Sequence, residues 1–493
     1  MDKVQTATII VFPNQLWDIS TMKPLFDAAK GHGHIVTKIV LWEDPGFFGI
    51  RTGGQFGPAR LCLNRLTLAY RRLTCIEAVK RLRVSAPAGV VVEHVQIDEL
   101  VTLAPSAYYA FDPCDLLVVK TFKKRLAKAA SLVLLDSPQF LLPADVAIAW
   151  AKDKDGVPKK RLQHRPFFEM VKERIGVLQG VPSQDANNRS PPPKEGLHPP
   201  SPFPEKVPAS RQAAWLNALA WVDQHPTFKR NPGPRPSDDS VNQMFGLAAT
   251  PKEAMAWLMR FVDQRFGSFG KYEDAIVKGE PWLYHSGISI YLNNGLLVPM
   301  DVVRIVKARF YGKPDQLANY EGFLRQLMGW REFSRMYYLT TPPAMARANS
   351  LGYKHIPLKY TGPWYTGKMG IPIVDDAIKD AWNMGYLHHI RRLMVMSNAM
   401  TLWRVHPDEV YRWMHEFALD AYEWVMVFNV YAMGTYGDGG RATRKPYVSS
   451  TAYLKRMSRE VGGEWEREWN KRFRARHHIS ELADQVHDIE LPP

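Results

Sequence analysis

Between residues 182 and 208 the chain carries nine prolines among Ser, Asn and Lys (NNRSPPPKEGLHPPSPFP). Proline fixes φ and has no N–H to donate, so neither a helix nor a central strand survives that density. The segment must be an extended connection. It divides the 493-residue chain into two parts with different hydrophobic periods. We place an α/β domain at 1–145, a basic and proline-rich linker at 146–209, and a helical domain at 210–493.

The first part reads as a doubly wound parallel sheet. Thr6 to Phe12 (TATIIVF), Ile35 to Trp42 and Val90 to Val95 are short β-branched runs of the kind buried in parallel sheets. Leu116 to Val119 and Leu132 to Leu135 are expected to add two more strands. Pro24 to Ala29 fits a short helix, and residues 60–83 fit a long basic amphipathic one. Sheets of this kind bind ligands beyond the carboxyl ends of their strands, here Asn14-Gln15-Leu16 and Trp42-Glu43-Asp44. No GxGxxG follows the first strand, so any cofactor in this domain is bound some other way. A docking domain with an empty crevice fits the same residues.

After about residue 210 apolar residues recur at intervals of three and four, as in KEAMAWLMRFV and EVYRWMHEFALDAYEWVMVF. This half is expected to be one all-α domain with an aromatic core. The chain has 64 Lys and Arg against 49 Asp and Glu, a net charge of +15, which argues for an anionic partner such as nucleic acid. Lys159, Lys160 and Arg161, just before the linker, form either a solvated basic face or an arm that follows phosphates. The three cysteines, Cys62, Cys75 and Cys114, support neither a disulfide framework nor a cysteine metal site later in the chain. No apolar run is long enough to span a bilayer and the first residues lack signal-peptide anatomy, so a soluble, intracellular protein is expected.

Three clusters in the helical half carry chemistry. Tyr284-His285-Ser286-Gly287-Ile288-Ser289 puts two hydroxyls on one face of a helix start, suited either to capping or to phosphate. Gln326-Leu327-Met328-Gly329-Trp330-Arg331-Glu332 sets an indole, a guanidinium and a carboxylate together. The guanidinium fork suits pyrophosphate and Trp330 offers a π face, whereas an internal Arg–Glu pair is the plain alternative. Tyr386-Leu387-His388-His389-Ile390-Arg391-Arg392 is followed by Asp420, Glu423 and Asn429. Adjacent histidines on a helix diverge and make poor joint metal ligands, so no metal is expected. A histidine beside two arginines instead suggests a tuned proton donor. Arg392 and Asp420 could form a buried ion pair.

In this order, HSGISIYLNNGLL (285–297), FLRQLMGWREF (323–333), GIPIVDDAI (370–378), GYLHHIRRLM (385–394) and YGDGGRATRKPYVSSTAYLKRMS (436–458) resemble the photolyase/cryptochrome family. The likeness is to its iron–sulfur bacterial cryptochrome and (6-4) photolyase branch. The resemblance implies FAD held in the helical domain by Tyr272, His285, Ser286, Ser289, Gln326, Arg331, Glu332, Arg392, Asp420 and Asn429. It implies a partner, UV-damaged DNA, bound by a monomer without a membrane, with Trp330, Lys159, Lys160 and Arg161 on the DNA side. His389 would act as proton donor to a flipped (6-4) lesion, with His388, Tyr447 and Tyr453 beside it. Trp413, Trp364 and Tyr365 would relay electrons to the flavin, with ordinary core packing as the alternative for each. An antenna of the ribityl lumazine type would sit near Trp42, Glu43 and Asp44.

The departure from that branch lies in its cluster cysteines. Ile373 fills the first position, and Val461 and Glu464 stand near two of the others. Thiolates are required to hold such a cluster, so no iron–sulfur cluster is expected. Trp465, Trp469 and Phe473 are expected to secure the C-terminal region by packing. Competing readings are repair of cyclobutane dimers, a cryptochrome photoreceptor that repairs neither lesion, and a nucleic-acid-binding protein without FAD.

Overall fold

A computed structural model describes residues 5–51, 56–99, 103–104, 106–128, 130–460 and 462–475; Val461 lies outside them. Five strands, β1 (Gln5–Val11), β2 (His34–Trp42), β3 (Val91–Val95), β4 (Ala107–Phe111) and β5 (Ser131–Leu135), form one parallel sheet in the order β3-β2-β1-β4-β5. The strand expected at Leu116–Val119 is instead the start of the helix Leu116–Arg125. Asp115 caps it, accepting from the N–H groups of Leu117 and Val118, and a capped β-branched run takes the helical state. The fourth strand is AYYAF, whose every residue is buried.

The strand order switches sides between β1 and β4, where doubly wound folds open their ligand crevice. Here protein fills it. Asn14 and Gln15 donate across it to the carbonyls of Pro113 and Phe111. The Leu16 N–H donates to the Asn294 carbonyl of the helical half at 2.9 Å. Gly295, at φ +82°, lets that backbone come close, because a Cβ there would meet Leu16 N at 2.7 Å. The crevice is a joint between the two halves.

The helix Arg65–Ser85 runs through this joint with 13 buried residues, including Arg71 and Arg72, so it is an interior strut and not a basic surface helix. Arg71 donates to the Phe47 and Ala421 carbonyls, one on each side. Arg51 is buried between Asp115 and Glu423, and Tyr338 donates to the same glutamate. One continuous hydrophobic core spans both halves.

The linker is anchored along its length. Helix His164–Ile175 precedes the prolines, and the proline stretch holds only a short 3-10 turn, Asp185–Asn187. Arg441 donates to the Lys159 carbonyl at 2.7 Å, and Lys159 Nζ lies 4.2 Å from the Trp150 ring. That pinning removes Lys159 from any free arm, while Lys160 and Arg161 stay exposed. From Ala209 onward the described chain is helical with loops between. Three segments widen into π-helix: Arg325–Trp330, Arg391–Ser397 and Val427–Gly434. The C-terminal helix Trp465–Arg474 packs through Trp469, which is fully buried, 5.6 Å from Trp403, and donates to the Ser449 carbonyl. Among the described residues no helix is long and apolar enough to cross a membrane.

Candidate functional site

Asp420 is the node of the first constellation. Arg392 grips both its carboxylate oxygens, at 2.9 and 3.2 Å, and Ser289 Oγ donates to it at 2.6 Å. Asn293 donates to the Asp420 carbonyl. The ion pair expected from sequence is therefore formed. Ser286 and Ser289 do not share a helix face, because the helix begins only at Ser289. Ser286 lies in the preceding turn, where its carbonyl accepts from Trp257 Nε1. Gly287 adopts φ +67° there, and a Cβ would meet Trp282 at 2.9 Å.

Behind that turn stands Arg265, a residue the sequence did not single out. It is buried, donates to the His285 carbonyl at 2.8 Å, and has no carboxylate partner among the described residues. Its Nη2 makes no hydrogen bond, and burial lowers its pKa to about 10. A buried guanidinium with an unused donor suits an anionic group. The residues around Ser289, Arg392 and Asp420 thus fit a phosphorylated cofactor.

The second constellation gathers residues far apart in sequence. His388 precedes the helix and His389 opens it, so the pair is not two neighbours within one helix. The His285 and His388 rings stack at 4.3 Å and 10°, and His389 stands across His285 at 5.3 Å and 77°. The candidate ligand atoms of the three lie within 4.8 Å of one another. Parallel stacked rings cannot both aim an in-plane lone pair at one ion, so the arrangement favours acid–base and hydrogen-bond chemistry over metal ligation. Neither nitrogen of His388 has a partner, nor does His285 Nε2. Buried donors and acceptors left open in this way are suited to a bound group. His285 sits here rather than beside Asp420.

Asp274 joins this cluster to a tyrosine. Its carboxylate is 4.0 Å from His389 Nε2 and accepts from Tyr453 OH at 3.5 Å. Burial, the largest effect, raises its pKa to about 6, against the opposing charge of Arg189. His389 is 38% exposed. Its pKa is lowered by desolvation and then by the charges of Arg189 and Arg392. Burial drives His285 and His388 well below the ordinary histidine value. Tyr447 is half-buried within the field of Arg189, which reaches in from the linker.

The remaining residues fall elsewhere. Arg331 donates to the Gln139 carbonyl at 2.7 Å, and Glu332 accepts from the N–H groups of Leu141 and Leu142. Both grip a loop of the α/β half, and Arg331 also donates to Asn293 Oδ1 at 3.3 Å and lies 3.7 Å from Glu332 Oε1, the internal pair that the sequence left as the plain alternative. Trp330 does not present a free ring: His164 stacks on it at 3.7 Å and 13°. Gln326 is half-buried on the first π-helical segment, and Asn429 donates to Val425 within its own helix. Tyr272 stacks on Tyr284 at 5.8 Å. Trp413 Nε1 donates to the Trp364 carbonyl, and Tyr365 OH donates to Glu416. In the α/β half, Glu43 is held by Arg72 and His94, and Asp44 caps its own loop through Gly46. Ile373 is buried in the helix Pro372–Met384.

Residues 323–447, which hold the Arg392–Asp420 pair and both adjacent histidines, match the FAD binding domain of DNA photolyase. A (6-4) photolyase of Agrobacterium fabrum is 32% identical over 318 residues, 61% of this chain and 57% of that protein. The chain thus spans little more than half the length of this relative. A deoxyribodipyrimidine photo-lyase of Neurospora crassa is 26% identical over 34% of this chain and 27% of its own. The fold is similar to a bacterial class III photolyase from Agrobacterium tumefaciens, with TM-score 0.57, 16% identity and coverage of 100% of this chain and 93% of that one. It is also similar to a Synechocystis cryptochrome, with TM-score 0.58, 13% identity and coverage of 99% and 92%. At those identities the structures speak to fold alone. A parallel-sheet domain strapped to a helical domain of the FAD-binding type is the class that fold and site define. Residues 323–447 belong to that FAD-binding domain family, and the chain is similar to photolyases in sequence and to photolyases and cryptochromes in fold.

Proposed function

We propose that the protein is a light-driven DNA repair enzyme of the (6-4) type, with FAD in the helical half and no iron–sulfur cluster. The observation that carries this reading is the convergence of His285, His388, His389, Asp274 and Tyr453 on one partly open site. FAD, when bound, supplies the light-excited electron donor. Ser289, Arg392 and Asp420 would hold it, with Arg265 behind the Ser286–Ser289 turn facing its anionic part.

His389 does the proton work. Desolvation first, and then the charges of Arg189 and Arg392, lower its pKa to about 4, so its ring is neutral at pH 7. Phosphates of bound DNA would offset those cations and move its pKa back toward the ordinary value. Asp274 would hold the ring's orientation. The exposed Lys160 and Arg161 and the net charge of +15 favour the DNA backbone. The antenna position in this reading is the strand end at Trp42–Asp44.

A cyclobutane dimer needs no proton donor for its repair. His389→Ala is therefore expected to slow (6-4) repair about 100-fold or more, the ordinary worth of a positioned acid, while leaving FAD content unchanged. An unslowed variant would contradict the role given to His389. Wild-type repair of the cyclobutane dimer alone, or of neither lesion, would return the second or third reading of the sequence.

A further inference from the structure

Glu416 has no part in either constellation. It is fully buried on the helix Pro407–Phe417, which also carries Arg412 and Trp413. Oε1 accepts from the Cys62 N–H at 2.8 Å and from Tyr360 OH at 2.9 Å, and Oε2 accepts from Tyr365 OH at 2.9 Å. Burial lifts its pKa to about 7, opposed by the Cys62 N–H, Arg412 and the two hydroxyls. Arg412 lies over both tyrosine rings and pairs with Glu409. The Cys62 thiol, itself pushed up by burial, completes the facing groups from the first half of the chain. His415, next in sequence, sits in the field of Arg51 and Arg71.

Tyr365 keeps its proton in the resting protein, because burial and then the Glu416 charge push its pKa well above the ordinary 10. Removing an electron from a phenol reverses this, since a phenol radical cation is a strong acid. Its ring is 5.4 Å from Trp382 and 4.6 Å from Tyr360, and Tyr360 is half-buried. Trp413 bonds to the carbonyl of Trp364, the residue before Tyr365.

We propose that Tyr365 is a proton-coupled electron donor and that Glu416 is the base that takes its proton. The electron passes to a tryptophan radical cation, Trp413 or Trp382, which returns to neutral tryptophan with its own N–H proton still in place. The Tyr365 O–H bond breaks and the proton moves to Glu416 Oε2, leaving a neutral tyrosyl radical beside a carboxylic acid. This rests on the photochemical reading above, in which light produces the tryptophan hole. It adds a base that is available above pH 7 and lost below it.

Pulse radiolysis of the full chain with azide radical oxidises tryptophan without light or flavin, so its outcome is independent of DNA repair. The Tyr365-dependent signal is the neutral tyrosyl absorbance lost in Tyr365→Phe. It should form faster as pH rises through about 7, with a solvent deuterium isotope effect. Glu416→Gln should slow it about 100-fold and remove the pH step. Glu416→Asp, which keeps a carboxylate, should retain a displaced step, and this arm holds if the Gln variant folds poorly. A Tyr365→Phe signal equal to wild type would overturn the proposal. So would an unchanged rate and pH step in Glu416→Gln, or no step in Glu416→Asp. Expected radical behaviour without repair would remove only the repair reading.

Discussion

Replacing Arg51 by Met should separate the two halves electrostatically. Arg51 is 2% exposed and bonds Asp115 at 3.1 and 3.2 Å and Glu423 at 2.5 Å. Without it two carboxylates share a buried site with no cation between them. Breaking a buried ion pair from one side costs about 3–5 kcal/mol. Burial already raises Glu423 to about 7, and Arg51 is the largest influence holding it down. The folded state then binds a proton that the unfolded chain releases near pH 4–5, so stability falls as pH rises from there toward the folded value, by about 1.4 kcal/mol per unit. In wild type the fall ends at about pH 7. In the variant it should continue higher, because Glu423 stays protonated longer. Urea unfolding followed by tryptophan fluorescence at about pH 6 and about pH 8, either side of the Glu423 value, should show a larger loss at the higher pH. A triple variant that also carries Asp115→Asn and Glu423→Gln should recover much of it, since the unpaired charges are gone. A single-variant loss below about 1 kcal/mol, equal at both pH values, would refute the reasoning.

Asp420→Asn leaves Arg392 without its carboxylate, and the flavin content of the purified protein, measured by absorbance after release, should fall; full retention would remove Asp420 from the cofactor site. Trp469→Ala opens a cavity under the last described helix and should cost that helix about 3–5 kcal/mol. Limited proteolysis should then cleave near residues 465–474 ahead of the rest, whereas an unchanged pattern would mean that Trp469 is not what holds the helix.

The sequence shows clearly what local chemistry determines. β1, β2, β3 and β5 follow from β-branched runs, and the proline stretch is extended where no other state was open. The run Leu116–Val119 misled because composition alone does not see a cap: Asp115 supplies two acceptor contacts and makes that run a helix. AYYAF, the fourth strand, lies outside the runs that the sequence marked as strands. The Arg392–Asp420 pair was legible as an arginine and an acid in neighbouring apolar helical stretches, and the two meet with Arg392 part-buried. Trp330 and Arg331 were legible as special but not in what they touch. Their partners, His164 and Gln139, lie 166 and 192 positions away in the chain. Gln326, Arg392 and Asn429 all lie on π-helical segments, where an added residue per turn turns a side chain off the face that a period of 3.6 assigns it. Arg265 and Asp274 gave no signal, since one charged residue in an amphipathic stretch is ordinary. Only the fold leaves one without a counter-ion among the described residues and places the other beside His389.

One preparation tests the central claim most directly. The protein, purified in the dark, would be analysed for iron, sulfide and FAD, and the same sample illuminated with blue light on duplex oligonucleotides carrying a (6-4) photoproduct or a cyclobutane dimer. The account predicts FAD, no stoichiometric iron or sulfide, and return of the (6-4) photoproduct to undamaged pyrimidines. Stoichiometric iron with sulfide, or a (6-4) photoproduct left intact by a flavin-loaded protein, would contradict it.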